Sequence, residues 1–322
     1  LQRHLAGDLP PLVAASADAS FRRYWRLAHG DGGTVIAVDA PPETEDNAAF
    51  VRLARELGAI GLNVPRIIAA DLDRGFLLVG DLGERQYLDH LDAANADRLY
   101  SDAIGALIAL QAAGPQSGLP VYDEPFLRRE LAIFDQWLLD GLLRLPRAEQ
   151  DRPMLELTYD LLVENALAQP RVCVHRDFHS RNLMLSGTAN PGILDFQDAV
   201  LGPVTYDLVS LLRDCYIDWP EARVRSWAEA YLSLALQCGI LREEQVASFA
   251  RWFDLMGMQR HLKAAGIFAR LALRDGRPDY LGYLPRTLGY VCDVGARYPA
   301  LQPLAEFVHG RVLSGLSAKL PV

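Results

Sequence analysis

The segment Val172-Cys-Val-His-Arg-Asp-Phe-His-Ser-Arg-Asn-Leu-Met-Leu185, followed by Gly192-Ile-Leu-Asp-Phe-Gln197, decides how the chain is read. Val172–Val174 and Leu183–Leu185 are β-prone, and polar residues bunch between them. Five residues along from Asp177 comes Asn182. A loop of that length can bring both side chains around one point, Asp177 toward a substrate hydroxyl and Asn182 toward a cation. Asp195 follows the apolar pair Ile193-Leu194, where a partly desolvated carboxylate suits a divalent ion. Hard oxygen donors, with no clustered Cys or His, point to magnesium rather than zinc. His175 and His179 do not make a metalloprotease pair, because Arg176 rather than a glutamate follows the first histidine on a strand-flanked loop. His175 reads as a structural histidine that orients the loop. Asp207, in Gly202-Pro-Val-Thr-Tyr-Asp-Leu208, opens a helix and reads from its position as an N-terminal cap.

Upstream of this segment the pattern is different. Between Ser20 and Leu27 the residues Phe21, Arg23, Trp25 and Leu27 alternate with Arg22, Tyr24 and Arg26, a period of two that predicts a half-buried strand. His29-Gly-Asp-Gly-Gly33 is a turn, and Thr34 to Val38 returns as a strand. Asp46 caps a helix whose Phe50, Leu53, Ala54 and Leu57 form one apolar face, ended by Gly58, Gly61 and Pro65. Arg66 to Ala70 and Gly75 to Val79 form a hairpin around residues 71–74. After Gly80-Asp-Leu-Gly83 the apolar spacing becomes helical at 95–113, 130–143, 155–168 and 223–238. The expectation is an α+β chain, with a small antiparallel sheet carrying one helix followed by a larger, mostly helical part.

Composition narrows the chemistry. The 322 residues carry 41 acidic and 32 basic side chains, a net charge of −9, which argues against nucleic acid or an anionic membrane as the main partner. Among the basic residues only Lys263 and Lys319 are lysine. The first 262 residues therefore hold neither a Walker-type Gly-Lys-Ser/Thr phosphate loop nor a strand lysine facing nucleotide phosphates. Cys173, Cys215, Cys238 and Cys292 show no metal or disulfide spacing, which suits reduced thiols. No apolar run approaches the ~20 residues of a membrane span, and the expected location is cytoplasmic.

His175-Arg-Asp-Phe-His-Ser-Arg-Asn182 matches the H-R-D-x-x-x-x-N catalytic loop, and Asp195-Phe-Gln197 stands where kinases have D-F-G. With a kinase-like lobe ahead of both motifs, the chain resembles the aminoglycoside-phosphotransferase-like kinases over nearly its whole length. The resemblance implies a bilobal protein-kinase-like fold, with a nucleotide-binding N-lobe over 1–80 and a helical C-lobe over 81–322 that holds the catalytic loop and sugar site. It implies that Asp177 is the catalytic base and that Asn182 and Asp195 hold Mg2+. It further implies that the backbone of Val79, Gly80, Asp81 and Leu82 meets the adenine of ATP, and that Asp207 braces the catalytic loop.

Six residues lie between Gln197 and Val204, and the next helix starts near Tyr206, which leaves no activation segment to dock a polypeptide. The acceptor should be a small molecule. His179, Arg181, Gln197 and Arg213, beside Asp198 and Asp214, are a mixed set near the motifs and are candidates for substrate contact. A polycationic aminoglycoside would favour a lining of carboxylates instead. In Gly257–Ala269, Arg260, Lys263 and Ile267 share one helical face, so the two cations meet either an anionic substrate or a neighbouring carboxylate. This segment, with Asp39-Ala-Pro-Pro-Glu43, resembles the anomeric N-acetylmuramate/N-acetylglucosamine kinases of bacterial cell-wall recycling. Other acceptors kept in view are an aminoglycoside, a choline-like alcohol or another sugar; the rival class is a nucleotide-binding pseudokinase.

One departure from the kinase pattern stands out. The third-strand segment is Val35-Ile-Ala-Val-Asp39, with a carboxylate where kinases place a phosphate-binding lysine. The first-hairpin loop, Ser16 to Phe21, lacks the glycine pattern, although the backbone at Ser20 can still face phosphates. Arg22 or Arg23, and of the two chiefly Arg23, is the candidate for the missing charge.

Overall fold

A computed structural model describes residues 13–16, 22–29, 33–146, 148–187, 189–317 and 319. In chain order the elements begin with β1 (Val13–Ser16), β2 (Arg23–His29), β3 (Gly33–Asp39), α1 (Asn47–Ala59), β4 (Ile67–Asp71) and β5 (Phe76–Gly80). Next come α2 (Tyr87–His90), α3 (Ala96–Ala113), α4 (Glu124–Ile133) with a π-helical continuation over Phe134–Leu143, and α5 (Asp151–Leu167). The motif region contributes β6 (Arg171–Val174), β7 (Leu183–Met184), β8 (Gly192–Ile193) and β9 (Val200–Pro203). The remainder is helical: α6 (Tyr206–Leu212), α7 (Glu221–Gln237), α8 (Val246–Arg274), α9 (Leu284–Gly295), α10 (Gln302–Phe307) and α11 (Ser314–Ser317).

Two compact units result, and neither follows chain order. Residues 1–117 and 180–199 form the first, and residues 118–179 and 200–322 form the second. Compactness thus groups 81–117 and 180–199 with the sheet, a different division from the functional one expected at residue 80.

The first unit is built on an antiparallel sheet of order β1-β2-β3-β5-β4. Leu27 faces Val35 across β2–β3 and Ala37 faces Leu78 across β3–β5. These four side chains are buried together, with Ile68 and Ala69 packed on them. The expected alternation along β2 is thus anchored at Leu27, while Ser20 and Phe21 lie outside the described residues. Strand β1, which the sequence reading did not anticipate, adds an edge to β2. Asp46 caps α1 by accepting the Ala49 N–H at 2.9 Å, and Phe50, Leu53, Ala54 and Leu57 are its buried face. The turn between β4 and β5 sits against the chain leaving β3. At Gly75 the backbone is left-handed (φ 71°), and a Cβ would lie 2.1 Å from the carbonyl oxygen of Ala40, so only glycine fits. The β7–β8 hairpin belongs to this unit. It is fixed by Ile193 N–H to Asn63 O (2.8 Å) and Leu185 N–H to Arg85 O (2.7 Å).

The second unit packs helices around α8, together with the antiparallel pair β6–β9. Helix α8 is buried all round at its centre, as a core helix must be apolar to be. Yet its buried residues include Asp254, Gln259, Arg260, His261 and Lys263. Buried polar groups need partners, so α8 has to run through a polar interior. Gly266 sets how closely α8 meets α4, since a Cβ there would lie 2.5 Å from the backbone C and O of Ile133.

Candidate active site

The candidate residues fall into two sets, each inside one compact unit. In the second unit, β6 delivers the chain to His175-Arg176-Asp177, and Asp207 on the first turn of α6 receives it. The Asp207 carboxylate accepts the backbone N–H of His175 at 2.6 Å and of Arg176 at 2.9 Å. Burial pushes the Asp207 carboxyl up to about 7, against the opposing pull of these two amides. Arg176 adopts a left-handed backbone (φ 76°), a conformation costing ~1–3 kcal/mol that persists only when its surroundings hold it. Buried His175 accepts the Asp177 N–H on Nδ1 at 3.3 Å and packs edge-on against Phe178.

Glu130 on α4 holds the other end of Arg176. Its Oε1 lies 2.5 Å from the Arg176 guanidinium and 2.9 Å from Lys263 Nζ, and its Oε2 accepts the Tyr122 hydroxyl. Lys263 also donates to the Tyr206 hydroxyl at 3.0 Å, and Gln259 to Tyr122 at 3.3 Å. Burial would push the Glu130 carboxyl up, but Lys263, Arg176 and Tyr122 hold it below its ordinary value. The α4–α8 crossing at Gly266 accounts for the reach. Glu130 and Lys263 each lie one turn before that contact, on Ile133's and Gly266's helices respectively.

Asp177 itself keeps a 41% exposed side chain. Desolvation opposes its ionisation, yet Lys263, His179, Arg176 and Arg260 together hold its carboxyl below the usual carboxylate range. It is therefore ionised at neutral pH and open to a ligand. His179 Nε2 lies 3.9 Å from Asp177 Oδ1, with its ring edge-on to Tyr216 at 5.3 Å.

Three cations nominated for substrate contact have internal partners instead. Lys263 belongs to Glu130 and Tyr206. Arg213 is buried, held by Asp254 (2.8 Å) and Glu221 (3.2 Å) and stacked on Phe253. Arg260, 5% exposed, donates to Cys215 Sγ at 3.5 Å. An apolar core tolerates a charge only when it is paired, and sequence alone does not show where that partner lies.

In the first unit, β7 and β8 place Asn182 and Asp195 side by side. Asn182 Nδ2 donates to Asp195 Oδ2 at 3.3 Å, and Gln197 Nε2 donates to Asp195 Oδ1 at 2.6 Å. Gln197 thus orients Asp195, a neighbour it was not assigned from sequence. Asp195 is left-handed (φ 64°), so the residue that carries the carboxylate is also one its surroundings must hold. A carboxylate beside an amide oxygen is a donor set that fits Mg2+, which commonly takes one or two carboxylates and completes its shell with substrate phosphates. Among the described residues no group of three or more His, Cys, Asp or Glu could hold a metal by itself. Arg181 is half-buried in this unit.

The nucleotide-facing candidates lie at the end of β5. Val79 is buried and paired with Ile36 and Ile67 across the sheet, and the Gly80 N–H donates to Arg66 O at 2.8 Å. The Asp81 carboxylate accepts from Arg26, Thr34 (2.7 Å) and the Gly83 N–H (2.8 Å). Burial would raise it, but these donors hold it below the ordinary value. Leu82 is half-buried. Arg22 is buried against Glu45 (3.0 Å) and over the Phe50 ring. Arg23 is exposed, without an ion pair among the described residues, and stands opposite Asp39 in the ladder. Ser20 lies outside the described residues.

The chain matches the phosphotransferase enzyme family over residues 12–252. It belongs to that family. It is 49% identical over 304 residues to the N-acetylmuramate/N-acetylglucosamine kinase of Pseudomonas aeruginosa and 47% identical over 304 residues to that of Pseudomonas putida. Each alignment covers 94% of this chain and 89% of the relative. In fold it is similar to a choline kinase from Cryptosporidium parvum, with a TM-score of 0.63 and 12% identity, covering 98% of this chain and 96% of the other. Family membership and fold agree on an α+β protein-kinase-like phosphotransferase that uses ATP. Among the described residues no helix is long and apolar enough to cross a membrane.

Sequence reasoning missed Glu130, Tyr122, Tyr206 and Tyr216. Glu130 left a signal nonetheless. It interrupts the buried face formed by Leu127, Leu131 and Phe134, where a carboxylate requires a cation.

Proposed function

We propose that this phosphotransferase moves the γ-phosphate of ATP to the anomeric hydroxyl of N-acetylmuramate, N-acetylglucosamine or both, in the cytoplasm, as part of peptidoglycan recycling. The observation that carries the reading is Asp177: an ionised, accessible carboxylate on a loop braced by Asp207 and by the Glu130 cluster. The relatives' shared substrate class, at nearly half identity, supports the choice of sugar.

In this reading Asp177 accepts the sugar hydroxyl proton as the oxygen attacks the γ-phosphorus in line. Its low basicity suits that role, since the proton leaves the hydroxyl only as the new P–O bond develops. His179 holds the carboxylate's flank, and Asp207 keeps the loop backbone fixed during transfer. Asn182 and Asp195 would hold Mg2+, with Gln197 orienting Asp195; the ion, when bound, neutralises charge on the β- and γ-phosphate oxygens. Val79 to Leu82 are proposed to line the adenine, and Arg23 to stand in for the absent third-strand lysine. The functional lobes remain 1–80 and 81–322 in this proposal.

Phosphorus and carbon NMR of the product from N-acetylmuramate, ATP and magnesium tests it. An anomeric phosphate is the expected product. A 6-phosphate would overturn the regiochemistry, and no ATP consumption with any sugar would favour a pseudokinase.

A further inference from the structure

We infer that Tyr216 and Tyr283 seat the sugar ring, and that Arg286 at their edge takes the carboxylate of an acidic sugar. The inference rests on the amino-sugar reading above and names the groups that would discriminate between its two sugars.

Tyr216 packs edge-on against His179 at 5.3 Å, and His179 in turn flanks Asp177. Its ring meets Tyr283 at 4.9 Å and Phe268 at 6.1 Å, and Tyr280 lies 6.1 Å behind Tyr283. Phe268 and Tyr280 are buried, whereas Tyr216 and Tyr283 are half-buried. The cluster thus has a closed back and an open front, one histidine away from the base. Aromatic faces of this kind offer apolar area at little entropic cost, which matches the C–H face of a pyranose and the methyl of an acetyl group.

The loop carrying Tyr216 is held in place. Its N–H donates to Asp214 at 2.9 Å, and His261 Nε2 donates to the Arg213 carbonyl at 2.9 Å. Arg286, on α9, reaches the same loop by donating from Nη1 to the Cys215 carbonyl at 3.3 Å.

Elimination among cations leads to the same residue. Arg176 and Lys263 share Glu130, Arg213 has Asp254 and Glu221, and Arg260 is buried and donates to Cys215 Sγ. Arg286 is exposed and, among the described residues, has no carboxylate within ion-pair distance. The nearby Asp218 accepts from the Tyr290 hydroxyl at 3.1 Å instead. A guanidinium anchored by one N–H still presents the paired donors that a planar carboxylate accepts. The lactyl group of N-acetylmuramate is such a carboxylate, and N-acetylglucosamine lacks it. The same cation disfavours a polycationic acceptor.

Steady-state kinetics of the full chain with each sugar test this. Arg286→Gln should raise the KM for N-acetylmuramate about tenfold or more, leaving N-acetylglucosamine and ATP within about twofold, as expected for loss of one charged hydrogen-bonding group. Tyr216→Ala should raise the KM for both sugars but not for ATP. If Tyr216→Ala does not fold, Tyr283→Ala carries the same expectation. An Arg286→Gln effect that is equal on both sugars, or absent, overturns the role of Arg286. Unchanged sugar KM in the tyrosine-to-alanine variants overturns the aromatic seat. If the parent enzyme phosphorylates neither sugar, the amino-sugar reading fails first and this inference falls with it.

Discussion

In the sheet-bearing unit Arg22 ends on Glu45, and Arg26 ends on Asp81 and Glu84; in the helical unit Arg176 and Lys263 converge on the single carboxylate of Glu130. The Glu84 side chain is 76% exposed and that of Glu130 only 5%. Exposed pairs contribute ~0–1 kcal/mol, whereas removing one partner from a buried group leaves an uncompensated charge. The difference is one of purpose. The exposed Glu84 only orients the outer end of Arg26, whose other partner, Asp81, is as enclosed as Glu130. Convergence in the interior fixes the loop that carries Asp177 and sets the field in which that carboxylate ionises.

The contrast can be broken at several points. Asp177→Asn should lower kcat ~10²–10⁴-fold with the KM for ATP preserved; near-normal turnover would remove the base from the helical unit. Glu130→Gln should cost ~3–5 kcal/mol in urea unfolding, against under ~1 kcal/mol for Glu84→Gln. Equal losses would abolish the distinction between the two kinds of pairing.

A smaller effect tests the interior of α8 through pH. Burial, aided by Arg260, lowers the His261 imidazole to about 3, so the folded protein holds it neutral while its Nε2–H donates to Arg213 O. Below the ordinary value near 6.5 the unfolded chain gains a proton that the fold refuses. Its contribution is therefore complete above pH 6.5 and is lost as pH falls toward 3, at up to ~1.4 kcal/mol per pH unit. Urea midpoints between pH 7.5 and about 4.5 should fall less steeply in His261→Gln, and identical slopes would contradict the burial argument. The smallest expected change is at the sheet surface. Arg23→Gln should raise the KM for ATP about threefold, the scale of one exposed charge contact, and no change would leave the phosphates without a protein cation on β2.

Much of the fold was legible because its local signals agree. Period-two alternation located β2, the returning stretch Thr34–Val38 gave β3, the apolar face of Phe50, Leu53, Ala54 and Leu57 located α1, and the hairpin read around residues 71–74 joined β4 to β5. The motif residues were legible because chemistry demands both their type and their spacing. What was not legible depends on distance in sequence. Glu130 and Lys263 explain each other only once α4 and α8 are packed together, and alone each reads as a charge in an apolar helix. Gln197 similarly reads as a substrate contact until its amide is found on Asp195. Strand β1 is four residues long and carries no periodicity to speak of.

Gly266 links these observations in a way that mutational surveys would misread. It touches no candidate ligand group, yet the absence of a single methyl lets two helices approach closely enough for one carboxylate to hold both Lys263 and Arg176. A Gly266→Ala variant should therefore lose stability by ~1–3 kcal/mol and turnover in the same step, measurable by unfolding and kinetics on one preparation. In this enzyme the ionisation of Asp177 and the spacing of the core are one variable, so neither can drift without the other.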